Sequence, residues 1–281
     1  MNLSWTVLAR ARRIMTTHAV RLAGHPELGQ VLPDFLVIGA MKAGTTTLFA
    51  ALTQHPHVIR SRRREIHFFG SRFSRGEDWY RRHFPTGLEL RRYQAITGEG
   101  STSYLAHPHA AERIHQVVPR AKMIALLRDP VDRAISNYFH EKRTGREPLP
   151  ITDAFAAEED RLRRAAEDPG QRPLGRLGYR RRGLYAEQLE RYYRHFPREQ
   201  LLVLQAESLF EKPREVIDQV CRFLGVDPAK GNFDYIPKNI GGYKPSLVPP
   251  TLTAELARFY APHNERLNAL VGEENWGWRN K

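Results

Sequence analysis

The stretch DFLVIGAMKAGTTTLFAAL, residues 34–52, constrains the fold more than any other part of the sequence. An apolar run leads into a glycine turn and then into a helical pattern, which is how a phosphate-binding loop between a strand and a helix is built. Gly39 and Gly44 keep the spacing of the triphosphatase loop G-x-x-x-x-G-K-[ST], but Thr45 stands where that loop has its lysine. The lysine here, Lys42, lies inside the loop. The pattern predicts an anion-binding loop that differs from that of the ATPases.

Strands and helices alternate along the rest of the chain. Apolar runs typical of buried parallel strands lie at 35–40, 94–99, 122–128 and 201–207. Helical patterns lie at 44–54, 108–117, 131–144, 151–167, 184–196, 213–224 and 251–271. This order predicts an α/β fold with a central parallel sheet and helices on both faces, a P-loop-like nucleotide-binding arrangement. Such folds bind ligands at the carboxyl ends of their strands.

The length of 281 residues, 41% of them hydrophobic, is enough for one large core. We therefore expect one main domain, residues 33–281, after a basic extension and linker, residues 1–32. Residues 1–26 contain no acidic residue and place apolar residues at helical spacing. Such a helix packs on its own domain, lies on an anionic membrane surface or serves as a transit peptide. With neither a signal peptide nor an apolar run near the roughly 20 residues of a membrane span, we expect a cytoplasmic location, with peripheral membrane contact through residues 1–26 as the alternative.

Charge and cysteine content narrow the ligand class. Lys+Arg 44 against Asp+Glu 31 gives a net charge of +13, which favours anionic partners such as nucleic acid, acidic glycans, anionic lipid or a polyphosphorylated nucleotide. No nucleic-acid-binding motif accompanies the charge, so we expect no nucleic-acid partner. A single cysteine, Cys221, excludes an internal disulfide framework and a purely thiolate metal site. No strand ends in a Walker-B aspartate, so we expect protein cations rather than a metal to neutralise the ligand.

Two segments are candidate anion sites. In the first, backbone N–H groups from Ala43 to Thr46, the start of the following helix and the threonine hydroxyls form a concavity for phosphate. In the second, LLRDPVDRAISNYF, a strand closes on Arg128, Asp129 caps a helix that begins with Pro130, and Ser136 lies two turns into that helix. Anion sites after two separate strands indicate a ligand phosphorylated at two distant points.

These segments resemble the PAPS-dependent sulfotransferases. GAMKAGTT, residues 39–46, resembles their 5′-phosphosulfate loop, and Arg128, Asp129 and Pro130 with Arg133 and Ser136 resemble their 3′-phosphate motif. REIHFF (64–69), GEGSTSYL (98–105) and the segments 182–209 and 267–278 are similar to the heparan sulfate type of this family and its bacterial relatives. The resemblance covers residues 33–278.

The resemblance implies a donor, a mechanism and a set of site residues. The donor would be 3′-phosphoadenosine 5′-phosphosulfate (PAPS), and Lys42 would stabilise the bridging oxygen between phosphate and sulfate as charge develops there. The donor-binding residues would be Lys42, Ala43, Gly44, Thr45, Thr46, Thr47, Arg128, Ser136 and Lys244. Glu65 would be the general base for an acceptor hydroxyl and His67 would assist, although a histidine is the base in the cytosolic small-molecule enzymes. We expect Glu65 and His67 to share a face of an extended segment, with Arg62, Arg63 and Arg64 keeping Glu65 ionised.

Several positions depart from the heparan sulfate pattern. Gly70 stands where those enzymes have Asp, and Gly100 stands where they have Lys. Their C-terminal Lys-Gly-Arg segment corresponds to IGGYKPS, in which Lys244 is the candidate replacement for the arginine. The donor assignment does not depend on these positions. The acceptor stays open among a glycan, a glycolipid and a small metabolite, and the oligomeric state is not predicted.

One further segment and two other functional classes remain. Residues 167–183 are rich in glycine, proline and arginine and predict a long mobile loop that covers a polar or anionic acceptor. A P-loop kinase would require Mg²⁺ and ATP and is disfavoured by Thr45. A nonenzymatic binder of acidic polymers is favoured by the net charge alone.

Overall fold

The computed structural model describes residues 29–167, 177–234 and 244–272, together with Trp276 and Trp278. Within these residues a single parallel sheet contains β1 (Phe35–Gly39), β2 (Val58–Arg60), β3 (Ile96–Gly100), β4 (Lys122–Leu127) and β5 (Leu201–Gln205). The strand order is β2-β3-β1-β4-β5. This sheet, with helices around it, confirms the predicted α/β fold.

The helices lie between and after the strands. They are α1 (Thr45–Leu52), α2 (Glu77–Arg81), α3 (Gly87–Tyr93), α4 (Ala110–Val117), α5 (Pro130–Arg143), α6 (Ile151–Ala156), α7 (Glu158–Glu167), α8 (Tyr185–Tyr193), α9 (Ala206–Glu211), α10 (Pro213–Leu224) and α11 (Pro250–Val271). Each predicted strand and helical region is present, except that the helix predicted for 151–167 is two helices interrupted at Ala157. The sequence did not predict β2, α2, α3 and α9, because elements of three to seven residues are too short to show a period.

Local chemistry explains the two strand ends that position the site. Every residue of β1 is buried, as a continuous apolar run in a covered parallel sheet predicts. Helix α5 begins where expected, because Asp129 Oδ1 accepts hydrogen bonds from the N–H groups of Val131 (2.8 Å) and Asp132 (3.2 Å) and Pro130 occupies the first helical position.

The strand order brings four chain segments to one edge of the sheet. From the central strand β1 the chain runs to the outer strand β2, returns through β3 on one side of β1, and then enters β4 on the other side. Because all five strands are parallel, their carboxyl ends meet at the same edge. The loop after β1 therefore has the segments after β2 and β3 on one side and the segment after β4 on the other.

A second, smaller cluster of buried side chains lies behind α5. It contains Val131, Ala134, Ile135, Tyr138, Ile151, Ala154, Phe155, Tyr179, Leu184, Leu252, Leu256 and Tyr260. The cluster joins α5 to α11 and to the residues just before α8. It packs against one face of α5, and His140 and Arg143 on the opposite face lie near Lys42 of the loop after β1.

The chain start lies partly outside the described residues. Residues 1–28, which contain the predicted basic helix, are outside them. Within the predicted linker, Gln30 forms an antiparallel bridge with Thr86 and Val31 donates its N–H to Pro85 O at 3.1 Å. None of the described helices combines the length and the apolar character that crossing a bilayer requires.

Candidate active site

The loop after β1 presents free backbone donors at its centre. Lys42 and Gly44 have positive φ angles of 73° and 88°, and Gly44 caps α1. A Cβ at Gly44 would lie 2.9 Å from the exposed Phe210 ring, which can turn away, so the positive φ is what requires glycine here. Within the described residues the N–H groups of Gly44 and Thr45 have no protein acceptor, and they open the first turn of α1 to an anion.

Two predicted loop donors are used inside the protein. The N–H of Ala43 donates to Ala40 O at 3.2 Å, and that of Thr47 donates to Gly44 O at 2.9 Å. Ala43 and Thr47 are also buried. These residues shape the loop, and the N–H groups that have no acceptor among the described residues belong to Gly44 and Thr45 between them.

Lysine and arginine side chains converge beside this loop. Burial lowers the pKa of the Lys42 ammonium, the charges of Arg143 and Arg128 lower it further, and Glu141 acts in the opposite direction. Within the described part of the chain, neither Lys42 nor Arg143 has a carboxylate within 4 Å. Cations that approach each other without a counterion form a site for a multiply charged anion.

Arg128 joins the loop to α5. Its Nη1 donates to Lys42 O at 3.4 Å, and its Nη2 lies 3.8 Å from Asp132 Oδ2. Ser136 is buried on the same helix, and His140 and Arg143 follow it at positions i+4 and i+7, on the same helical face. Arg143, which the sequence did not predict as a site residue, lies on this face of the site. We call the loop 40–47, Arg128 and this face of α5 the cationic half.

Arg133 of the predicted 3′-phosphate motif is structural. It is fully buried and donates hydrogen bonds to Tyr179 O and Asn137 Oδ1. Its guanidinium therefore ties α5 to the residues before α8 and does not face the site. The sequence pattern could not separate Arg133 from Arg128, because both are arginines at the start of one helix.

Glu65 and His67 lie on the other side of the loop. The expectation of an extended segment is wrong, since the two residues have left-handed φ angles of 47° and 57°. Their side chains nevertheless meet, with His67 Nε2 at 3.3 Å from Glu65 Oε2, and Thr102 Oγ1 lies 3.5 Å from Glu65 Oε1. The turn, rather than the alternation of a strand, brings the two groups together.

The charge state of Glu65 follows from these contacts. Burial raises the pKa of the Glu65 carboxyl, but the hydrogen bond and charge of His67, the charge of Arg64 and the hydrogen bond of Thr102 outweigh it, so the pKa lies below its ordinary value. Arg64 also donates to Thr46 Oγ1 at 2.7 Å, which connects the two sides of the site. The predicted ionisation of Glu65 by neighbouring arginines thus operates through Arg64.

A buried carboxylate, Glu99, is hydrogen-bonded to the turn that carries Glu65 and His67. Glu99 is 0% exposed and accepts hydrogen bonds from Tyr80 OH (3.0 Å), Tyr104 OH (2.7 Å), Ser101 Oγ (2.6 Å) and Ile66 N (3.3 Å). Ser101 Oγ in turn accepts the N–H of His67 at 2.9 Å. Burial raises the pKa of the Glu99 carboxyl, although its hydrogen bonds act to lower it. We call residues 61–70 with residues 99–103 the carboxylate half.

A cavity of about 330 Å³ lies between the two halves. Thr45 and Thr46 of the loop line one part of it, and Glu65 lines another. Arg60, Arg62 and Arg64 also border the cavity. A molecule in this space would contact the anion-binding loop, a carboxylate and arginine side chains at once.

Other predicted residues lie at the limits of the described structure. Lys244 is exposed at the start of a described range, and Gly241 and Gly242 before it lie outside the described residues. Lys244 as a donor ligand therefore stays a prediction.

The predicted mobile loop at 167–183 is only partly described. Residues 168–176 lie outside the described residues. At the end that is described, Arg181 pairs with Glu159 at 3.2 Å, and Glu158 accepts the N–H groups of Arg180 (2.8 Å) and Arg181 (3.0 Å). These contacts and the buried Tyr179 hold residues 177–183 against the domain, and the mobile cover over the acceptor stays a prediction.

Comparisons with known proteins identify sulfotransferases as the similar sequences. The model of the sulfotransferase domain family matches residues 32–242. Human heparan sulfate glucosamine 3-O-sulfotransferase 6 is 32% identical over 88% of this chain and 73% of its own length. Mouse bifunctional heparan sulfate N-deacetylase/N-sulfotransferase 4 is 32% identical over 85% of this chain, which spans only 30% of that longer protein.

A solved structure has the same fold. The crystal structure of a sulfotransferase from Alicyclobacillus acidocaldarius superimposes with a TM-score of 0.73 at 34% sequence identity. The superposition covers 89% of this chain and 99% of that one. The similarity therefore extends through the whole of that bacterial protein.

Proposed function

This chain belongs to the sulfotransferase family and is a PAPS-dependent sulfotransferase, and we propose that it sulfates a hydroxyl group of a carbohydrate with Glu65 as the general base. One observation carries the proposal. Glu65 borders the same cavity as Thr45 and Thr46 of the anion-binding loop. A proton acceptor and a site for the donor anion thus face one space in which an acceptor can lie.

The residues of the cationic half fit the donor. PAPS carries a 5′-phosphosulfate and a 3′-phosphate, so it needs cations at two separated points. Lys42 and the open N–H groups of Gly44 and Thr45 suit the first, and Arg128 with Ser136 suits the second. Burial and the charges of Arg143 and Arg128 lower the pKa of Lys42, and a phosphosulfate beside the ammonium would act in the opposite direction.

In the proposed reaction the acceptor oxygen bonds to sulfur while the bond from sulfur to the phosphate oxygen breaks. Glu65 takes the proton of the acceptor hydroxyl, and the electron pair of the broken bond stays on the phosphate of the departing nucleotide. Lys42 offers a positive charge to that developing negative charge, which favours the transition state over the bound substrates. Protein cations supply this charge in the proposal, without a step for a metal ion.

The acceptor proposed here is a glycan that itself carries negative charge. Two of the relatives are named as heparan sulfate sulfotransferases. Arg60, Arg62 and Arg64 border the cavity at Glu65, and a sulfate or carboxylate on the acceptor would match them. The substitutions at Gly70 and Gly100 leave the regiochemistry open to experiment.

Mass spectrometry of acceptor mixtures tests the proposal. The purified chain is incubated with PAPS and with acidic oligosaccharides, neutral oligosaccharides, a glycolipid and small hydroxyl metabolites, in the presence of a chelator. We expect a gain of SO₃ on the acidic oligosaccharides, and none with a Lys42→Ala variant. Transfer only to neutral or lipid-linked acceptors would overturn the acceptor class, and phosphoryl transfer from Mg²⁺-ATP without sulfuryl transfer would overturn the reaction.

A further inference from the structure

His67 lies between two polar groups, one at each ring nitrogen. Its Nδ1 is 3.0 Å from Ser103 Oγ, and its Nε2 is 3.3 Å from Glu65 Oε2. A neutral imidazole has one nitrogen that donates and one that accepts, so these neighbours decide which nitrogen carries the hydrogen. The choice determines whether His67 or Glu65 is able to accept a proton from the substrate.

The charge on Glu65 determines the state of Nε2. The contacts described above keep Glu65 ionised near neutral pH, and an ionised carboxylate only accepts hydrogen bonds. If Nε2 had a lone pair instead of a hydrogen, that lone pair would face the carboxylate. Nε2 therefore carries the hydrogen, and in the neutral ring Nδ1 accepts one.

Ser103 is the group placed to donate a hydrogen bond to Nδ1 of His67. A serine hydroxyl can rotate to donate or to accept, and only the donating orientation satisfies a neutral Nδ1. We propose that Ser103 is a positioning residue that holds His67 in its Nε2–H form, so that His67 donates to Glu65 and Glu65 alone takes the acceptor proton. This inference rests on the proposed function, because it states which of the two candidate bases acts.

Holding Oε2 in this way leaves the other oxygen for the reaction. Within the part of the chain that the structure describes, the one hydrogen-bond contact of Glu65 Oε1 is with Thr102 Oγ1, at 3.5 Å. In the reacting complex the acceptor proton goes to this oxygen, while His67 keeps its own hydrogen throughout. His67 orients the Glu65 carboxylate, and the imidazole itself neither gains nor loses a proton.

The position of the His67 backbone does not depend on Ser103. The His67 N–H donates to Ser101 Oγ, which donates to the buried Glu99. Removing the Ser103 hydroxyl should therefore change the ring and not the turn. A loss of activity in Ser103→Ala can thus be separated from a loss of folding.

The neighbouring Gly70 offers a way to require a hydrogen on Nδ1. A Cβ at Gly70 would lie 4.0 Å from Ser103 Oγ and 3.6 Å from His107 Cδ2, which are ordinary contacts. Gly70→Asp would place a carboxylate near the same nitrogen. Unlike serine, an ionised aspartate can only accept, so it would require a hydrogen on Nδ1.

The tautomer is measured directly in the intact protein, without substrate. Long-range proton–nitrogen spectra of ¹⁵N-histidine-labelled protein at about pH 8, where an unperturbed imidazole is neutral, distinguish the two ring nitrogens, and a His67→Asn variant assigns the signals. We expect the Nε2–H form in the native chain and in Ser103→Thr, a mixture of forms in Ser103→Ala, and a protonated Nδ1 in Ser103→Ala combined with Gly70→Asp.

Single-turnover rates with saturating PAPS provide the second readout. Ser103→Ala should transfer on the order of tenfold more slowly, the effect of one hydrogen bond, with unchanged donor affinity and unchanged unfolding, and Ser103→Thr should restore the rate. Ser71→Ala, an exposed serine on the same turn, is the matched control and should equal the native chain.

An Nδ1–H ring in the native chain would overturn the inference. A Ser103→Ala variant with the native tautomer and the native rate would also overturn it. Both outcomes differ from failure of the proposed function, in which the native chain would transfer no SO₃ at all.

Discussion

The two halves of the site satisfy their charges in opposite ways. In the cationic half, Lys42 and Arg143 have no carboxylate within 4 Å among the described residues, and Arg128 has only a 3.8 Å contact with Asp132. In the carboxylate half, Glu99 accepts four hydrogen bonds from the protein and Glu65 is paired with His67. The cationic half therefore requires an anionic ligand to balance it, whereas the carboxylate half is already arranged before the ligand arrives.

This difference separates binding from chemistry. Substitutions in the cationic half should weaken nucleotide binding and leave the fold intact. Substitutions in the carboxylate half should leave nucleotide affinity intact and change either the rate or the stability.

The largest effect is expected at Glu65. Glu65→Gln keeps the shape of the side chain but removes its ability to take a proton, so single-turnover transfer should fall by about 10²–10⁴-fold. Affinity for the nucleotide, measured by calorimetry, should not change. His67→Ala should be milder, and a His67→Ala defect larger than that of Glu65→Gln would assign the base to the histidine.

The pH profile examines the same residue without a substitution. A base must be deprotonated to act, and the pKa of Glu65 lies below its ordinary value because the contacts of His67, Arg64 and Thr102 outweigh burial. Activity should therefore persist as the pH falls through about 6.5, the value for an unperturbed histidine, and decline only in the range of a carboxylic acid. Loss of kcat/KM near pH 6.5 would contradict this expectation.

Arg128 should have the next largest effect, confined to binding. Loss of one partner of a desolvated charge contact costs about 2–5 kcal/mol of binding free energy. Arg128→Ala should therefore weaken the binding of 3′,5′-adenosine bisphosphate by roughly 30-fold or more. Affinity for 5′-AMP, which has no 3′-phosphate, should be almost unchanged and serves as the control. Equal losses for both nucleotides would place Arg128 away from the 3′-phosphate.

A substitution at Tyr104 tests the carboxylate half. Its hydroxyl donates to the buried Glu99 at 2.7 Å, so Tyr104→Phe removes a hydrogen bond to a buried acid and should lower the free energy of unfolding by about 1.5–3 kcal/mol. Denaturant titration measures this, with Tyr93→Phe, which alters an exposed ring, as the control. Nucleotide affinity should not change, and a large change in it would remove the distinction between the halves.

Arg143 should have the smallest effect. It is exposed and therefore screened, so Arg143→Ala should cost about 1 kcal/mol of nucleotide binding, roughly fivefold, and less at high salt. Arg92→Ala is the matched control, because Arg92 is an exposed arginine on α3, outside both halves of the site. Equal effects of the two variants would show that Arg143 acts only through net charge.

The α/β fold, the loop at Lys42 and the capped helix after Arg128 were predictable because each depends on local pattern. Buried parallel strands are continuous apolar runs, glycine is needed at the positive φ of Gly44, and the Asp129-Pro130 cap is a contiguous signal. The pairing of Glu65 with His67 was also expected, but for the wrong backbone. Spacing alone does not reveal that both residues adopt left-handed angles.

The roles of Arg133, Arg143 and Ser103 required the tertiary structure. Arg133 and Arg128 are both arginines near the start of α5, and only the packing of the residues before α8 and of α11 buries the first and leaves the second at the loop. Ser103 and His67 are far apart in sequence and meet because β2 and β3 are neighbours with parallel carboxyl ends. The sequence by itself determined the elements and the chemistry available at their ends, since these depend on neighbouring residues, whereas the fold decided which side chains face each other, since that depends on the order of strands in the sheet.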